Sequence, residues 1–266
     1  MTPILMRRFF LSASMFGLVA CNEGLSPARE RNGFISAVTY QAGPDLYSVQ
    51  YLGAFYRYDG LSADPGQLDA CEGQPYSPSG TLAHLPTLDA GDQLLAQVSG
   101  REDTLLAETS SGMRLYKIPG ASNSVPFIPG DTLTMVIPGT VGGFPAMTVR
   151  VRTAEPFTFT PVGNPPDGQP LTINWSAATV PGSVIVFYLR FSNTSTDIEP
   201  NTQLRCVFID DGTAQVDATL ADVWADSDPV SRQVAVERIR QTTVEFDART
   251  KVTLLSYFDR PLLTAP

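Results

Sequence analysis

A single histidine, His84, is available to any chemistry that needs an imidazole, and it stands between Leu82-Ala83 and Leu85-Pro86. A His-based zinc site or a Ser-His-Asp triad would have to rest on it alone. Its apolar setting reads instead as that of a structural histidine. The sequence holds no Gly-rich phosphate loop, no Gly-x-Ser-x-Gly elbow and no Cys-x-x-Cys pair. Its 27 Asp and Glu residues offer carboxylate pairs for hydrolysis, but spacing singles out none of them. The densest acidic group is Asp210, Asp211, Asp217, Asp222, Asp226 and Asp228. Hard oxygen ligands of this kind suit Ca²⁺, yet the spacing lacks the EF-hand pattern. Asp-Asp-Gly is also ordinary turn chemistry, and Asp217 is placed to cap a following helix. The expectation is a protein that is not an enzyme and needs neither metal nor cofactor.

Recognition is the second chemistry on offer. Six of the nine tyrosines fall between Tyr40 and Tyr76. Tyr51, Tyr56 and Tyr58 are the candidates for a flat ligand-binding platform, because a rigid amphipathic ring gives contact area at low entropy cost. The competing reading is core and cross-strand packing, since strands favour aromatic residues in any case. Cys71 and Cys206 are the candidate disulfide. Cys206 alternates with Leu204 and Phe208 on one face of a strand-like run, whereas Cys71 sits in the polar stretch Asp69 to Gly73. A bridge and two separate thiols both fit these settings.

The elements that must position these residues read as strands. The 21 glycines and 22 prolines punctuate short runs of Val, Ile, Thr, Phe and Tyr, the pattern of an all-β sandwich. Strand-like runs start at Phe34 to Gln41 and Tyr47 to Tyr58, with Gly43-Pro44-Asp45 as the turn between them. Residues 59 to 86 read as loop. Strands resume at 93–98, 104–108, 113–118, 132–137 and 146–153. Ala90-Gly91-Asp92-Gln93-Leu94 through Gly100 echoes Pro129-Gly130-Asp131-Thr132-Leu133 through Gly139, 39 residues on. The echo predicts two equivalent hairpins, each launched by a Gly-Asp turn. Ala154 to Gln169 is rich in proline and makes the best domain boundary. Beyond it, strands are expected at 171–175, 183–191, 203–209, 233–240, 242–246 and 251–258, with one short helix at 218–224.

The start of the chain follows a different pattern. Arg7-Arg8 precedes an apolar run from Phe9 to Ala20, too short for the roughly 20 residues a membrane-spanning helix needs and laid out as an export signal. The run ends in Leu18-Val19-Ala20-Cys21, which resembles the lipobox of bacterial lipoproteins. That resemblance implies removal of residues 1–20, lipidation of Cys21 as the new N-terminus, and two or three acyl chains, enough for stable anchoring. Asn22 after the cysteine implies sorting to the outer membrane. Arg7-Arg8-Phe9-Phe10-Leu11 resembles the twin-arginine export motif and fits a basic start for general secretion equally. Without residues 1–20 the chain carries 16 Lys and Arg against 27 Asp and Glu, a net charge of −11. That balance disfavours nucleic acid and anionic lipid surfaces as partners, since phosphate recognition needs clustered cations.

The order Pro129-Gly130-Asp131-x-Leu133, Phe144-Pro145-Ala146, Leu171-x-Ile173-x-Trp175, Leu204-x-Cys206 and Asp210-Asp211-Gly212 looks like Ig- or fibronectin-like β-sandwich regions of bacterial lipoproteins. The expected architecture is all-β: a signal at 1–20, a lipidated tether at 21–33, and two tandem antiparallel Ig-like sandwich domains at 34–155 and 156–266, with at most one short helix. The expected role is non-enzymatic binding or scaffolding in the cell envelope, with the membrane as one partner and an envelope polysaccharide or protein as another. The alternative is a carbohydrate-binding surface lipoprotein that uses the tyrosine platform.

Overall fold

The computed structural model describes residues 30–58, 64–77, 85–110, 112–120, 124–194 and 199–264. Alternation of apolar and polar residues determines which face each strand buries. The elements are β1 (Arg31–Gly43), β2 (Leu46–Arg57), β3 (Ala70–Pro75), β4 (Gln93–Val98), β5 (Arg101–Ser110), β6 (Met113–Lys117), β7 (Ser124–Phe127), β8 (Thr132–Ile137), β9 (Met147–Arg152), β10 (Leu171–Asn174), β11 (Val184–Phe191), β12 (Thr202–Ile209), β13 (Thr213–Val216), α1 (Ala218–Ala225), β14 (Gln233–Asp247) and β15 (Thr250–Thr264). In β8, for example, Leu133, Met135 and Ile137 are buried while Thr132, Thr134 and Val136 lie on the more open side. The chain is mostly strand, as expected, and among the described residues it has one α-helix.

Thirteen strands form one mixed sheet, in the order β3-β12-β11-β14-β15-β1-β2-β6-β5-β4-β8-β9, with β7 paired to β2. All its pairings are antiparallel except β1 against β15, where Arg31 to Thr39 run parallel to Thr250 to Phe258. The sheet rolls until β9 comes back against β14 and β15. Gly33 makes this close strand packing possible: a Cβ there would lie 2.2 Å from Val252 Cγ2 and 2.8 Å from the Phe55 ring. The predicted echo is present in space. Gly91 and Gly130 each take positive φ before β4 and β8, and Gly100 and Gly139 do so just beyond those strands. The two strands pair with one another, and each forms a hairpin with the strand that follows.

Three apolar clusters result. The first fills the roll, with Ile35, Phe55, Tyr116, Leu133, Phe144 and Val252 at its centre. The second lies between β11, β12, β14 and β15 on one side and β10, β13, α1 and the segment 154–162 on the other. Residues 252, 254, 256 and 258 share one face of β15, so the same strand feeds the first core through Val252 and Leu254 and the second through Phe258. The third cluster, Val186, Val207, Ile239 and Leu255, occupies the opposite face of the sheet.

Besides the short strands β7 and β13, which the sequence pattern does not place, three segments depart from the expected pattern. Residues 70–75 were expected as loop and form edge strand β3, because Ala-Cys-Glu-Gly-Gln-Pro has no period of its own and is held by pairing with β12. Residues 233–247 form one continuous strand, not two, because β15 pairs along its length with bulges near Ala235 and Phe246 absorbing the register shifts. The Pro-rich passage is not a free linker. Ala154, Phe157 and Val162 are buried, and the backbone carbonyls of Glu155, Pro156 and Phe157 accept hydrogen bonds from Arg238 and Arg260.

Candidate functional site

The tyrosines proposed as a platform do not share a face. Tyr51 is 2 % exposed and belongs to the first core, whereas Tyr58 is 44 % exposed. An odd number of positions separates Tyr51 from both Tyr56 and Tyr58, so on an extended strand its ring points the other way. Burial drives the Tyr51 phenol far above its usual range. Tyr56 is half-buried against Phe34, 6.4 Å between ring centroids. A platform made of Tyr51, Tyr56 and Tyr58 is therefore corrected to one core residue and two on the opposite face. Cys21 and His84 lie outside the described residues. Cys71 and Cys206 stand opposite one another in the β3–β12 pair and are joined by a disulfide.

Most of the acidic cluster is engaged in structural hydrogen bonds. Asp217 caps α1 by accepting from the Thr219 N–H at 2.8 Å. Asp222 accepts from the Gly168 N–H, Asp228 from the Val230 N–H, and Asp211 from the Thr213 N–H. Asp210 is the centre of a buried network. It pairs with Arg238 at 2.7 Å, and accepts from Trp175 Nε1 at 2.8 Å and Ser183 Oγ at 2.5 Å. Glu155 is held in the same region by the backbone N–H and hydroxyl of Thr179. Burial pushes its carboxyl up, but those bonds and the nearby Arg240 and Arg238 outweigh it and leave the group below its usual range. Among the described residues no three His, Cys, Asp or Glu side chains gather as a metal-holding group.

A different cluster gathers on the sheet face opposite the two large cores. Alternation on β11 that sends Ile185, Phe187 and Leu189 into the second core turns Val186, Tyr188 and Arg190 to the other side. Cross-strand register then sets Tyr188 beside Arg205 of β12 and Val186 beside Glu237 of β14. It also sets Glu237 beside Asp259, and Ile239 beside Tyr257, on β15. With Val38, Leu255, Asp64 and Pro65, the residues Tyr188, Arg205, Glu237, Ile239 and Tyr257 enclose a cleft of about 410 Å³, within the usual size range of small-molecule sites.

The cleft has fixed polar walls and an apolar floor. The Tyr188 hydroxyl donates to Glu237 Oε2 at 3.0 Å. Arg190 donates through Nε to Gln203 Oε1 at 2.9 Å and lies over the rings of Tyr76 and Tyr188. Arg205 donates to the Pro65 carbonyl at 2.5 Å and so ties the 64–69 segment over the site. Asp69 accepts from the Ile209 N–H, and the disulfide follows two residues later. Burial raises the Glu237 carboxyl above its usual range, and Asp259 across the strand pair adds to this; the Tyr188 hydrogen bond, Arg190 and Arg205 pull the other way. Burial likewise raises Asp259, against Arg190, and pushes the Tyr257 phenol up to about 12. The result is a partly desolvated carboxylate on β14 and a guanidinium on β12, one on each side of Tyr188 of β11 and both lining the cleft. Sequence reading missed this site because its residues come from five strands and a loop, from Val38 to Tyr257, and only register unites them. The one local signal was the Val184–Phe191 run, which is apolar on one face and carries Tyr188 and Arg190 on the other.

No protein-family model, curated protein or solved structure matches the chain.

Proposed function

We propose that this chain is a non-enzymatic binding or scaffolding lipoprotein of the bacterial cell envelope, held on the outer membrane through a lipid on Cys21. The observation that carries the reading is the sequence Leu18-Val19-Ala20-Cys21 closing a short apolar run behind Arg7-Arg8. The described body is compatible with display. Its first strand opens at Arg31, leaving ten residues from Cys21 to Glu30 that span at most about 35 Å when extended. No helix among the described residues is long and apolar enough to cross a membrane. Partners are sought among envelope polysaccharides and proteins, not nucleic acids, given the net charge of −11 after the signal is removed.

The division into Ig-like units at 34–155 and 156–266 is proposed at the level of the cores. It is supported by the origin of their residues: most of the first core comes from before position 155, and the second from 154 onward. Strands β1, β14 and β15 cross that division.

The anchor is tested by intact mass and membrane fractionation of the chain expressed in a bacterium, beside Cys21→Ala. The expected product starts at Cys21, carries acyl chains and sediments with membranes, and the variant is soluble and unacylated. A wild-type chain that is soluble with a free thiol at Cys21 would overturn the reading.

A further inference from the structure

We propose that the cleft formed by Tyr188, Glu237, Arg205, Ile239 and Tyr257 is a binding site for a neutral saccharide. The inference rests on the reading of the chain as a binding module and names the ligand class for it.

The argument is one of complementarity. A pyranose ring has an apolar C–H face and a rim of hydroxyls, each both donor and acceptor. Val38, Ile239 and Leu255 provide an apolar floor, and Tyr188 and Tyr257 provide rings that stand beside it. Glu237 offers an acceptor and Arg205 a donor from the two strands that flank β11. A small anion would meet Glu237 and Asp64, with Asp259 beside them; a cation would meet Arg205, with Arg190 beside Tyr188. A neutral ligand with hydroxyls satisfies both signs at once. The donor Arg205 is already oriented by the Pro65 carbonyl, and the ring of Tyr188 by Arg190 and by its hydrogen bond to Glu237, so little ordering is left to oppose binding. The segment over one side of the open cleft is tied at Pro65, Asp69 and Cys71, which holds that wall in place.

The test uses the full chain purified in detergent, titrated with maltotriose, cellotriose and di-N-acetylchitobiose by calorimetry and saturation-transfer NMR. Butylamine and glucuronate serve as cationic and anionic probes. At least one neutral saccharide is expected to bind, and Glu237→Gln and Tyr257→Ala each to weaken it about tenfold or more. Tyr58→Ala is expected to leave affinity unchanged. Glu237→Gln keeps an acceptor for Tyr188, and its thermal unfolding confirms an intact fold independently of binding. Absence of binding by all three saccharides, preference for a charged probe, or affinity indifferent to both cleft variants would overturn the proposal. The titrated sugars are then checked by chromatography. Unchanged sugar agrees with a binding module, whereas cleaved sugar keeps the saccharide site and overturns the non-enzymatic reading. Neither result depends on whether Cys21 carries a lipid.

Discussion

Glu237 shows how one side chain can serve a site at the expense of the fold. Its carboxyl is raised in the folded chain, first by burial and then by Asp259. The charged and titratable groups facing it are Tyr188 and Arg190 on β11, Arg205 on β12, Asp259 and Tyr257 on β15, and Asp64 in the roof. Between the ordinary glutamate value of about 4.3 and the raised one, the folded state binds more protons than the unfolded. Stability therefore falls as pH rises through that window and is level above it. Glu237→Gln is expected to raise the melting temperature at pH 7.5 and to change it little at pH 4, measured by calorimetry at both. A lower melting temperature at pH 7.5 would show that Glu237 is held by a stabilising interaction instead. Asp210 is the contrasting case. Its side chain is 2 % exposed but matched by Arg238, Trp175 and Ser183, so its charge serves the join between the segment 154–183 and the sheet.

Edge strand β3 depends on partners outside itself. It has no alternation, ends in Pro75 and exposes most of its side chains, all features that blunt an edge against further pairing. The disulfide from Cys71 to Cys206 spans 135 residues and fixes both this edge and the roof of the cleft behind it. Replacing both cysteines by alanine is expected to cost about 2–5 kcal/mol, read by urea unfolding, and to weaken ligand binding at the cleft through a loosened roof. Unchanged affinity would show that the Arg205 bond to Pro65 alone holds the roof. The elements themselves were largely legible beforehand. β4, β8, β11 and β12 alternate strongly, and α1 follows an acidic cap at Asp217 with Trp224 and Ala221 on its buried side. β3, β7 (Ser124–Phe127) and β13 (Thr213–Val216) were not. Each is four to six residues long and is defined by the strand it pairs with.

At the scale of the molecule, the two large cores are fed by the same long strands. β14 contributes Val244 to the edge of one and Val234 and Val236 to the other. Loss of either core therefore removes support from the other. Phe55→Ala in the first core and Trp224→Ala in the second are each expected to cost about 3–5 kcal/mol and to shift one common unfolding transition. Two separated transitions, each moved by only one substitution, would show that 34–155 and 156–266 unfold independently. The amino-acid sequence by itself determined the strand-rich class, the placement of most strands, the paired Gly-Asp hairpins and the acidic balance of the chain. All of these depend on composition, charge or a period of two residues, which are local properties of a chain. Only the tertiary structure decided that β1 runs parallel to β15, that Tyr51 and Tyr58 face opposite ways, and that Tyr188, Arg205, Glu237 and Tyr257 meet in one cleft. Those relations depend on register between strands far apart in sequence, where a slip of one residue moves every side chain to the other face.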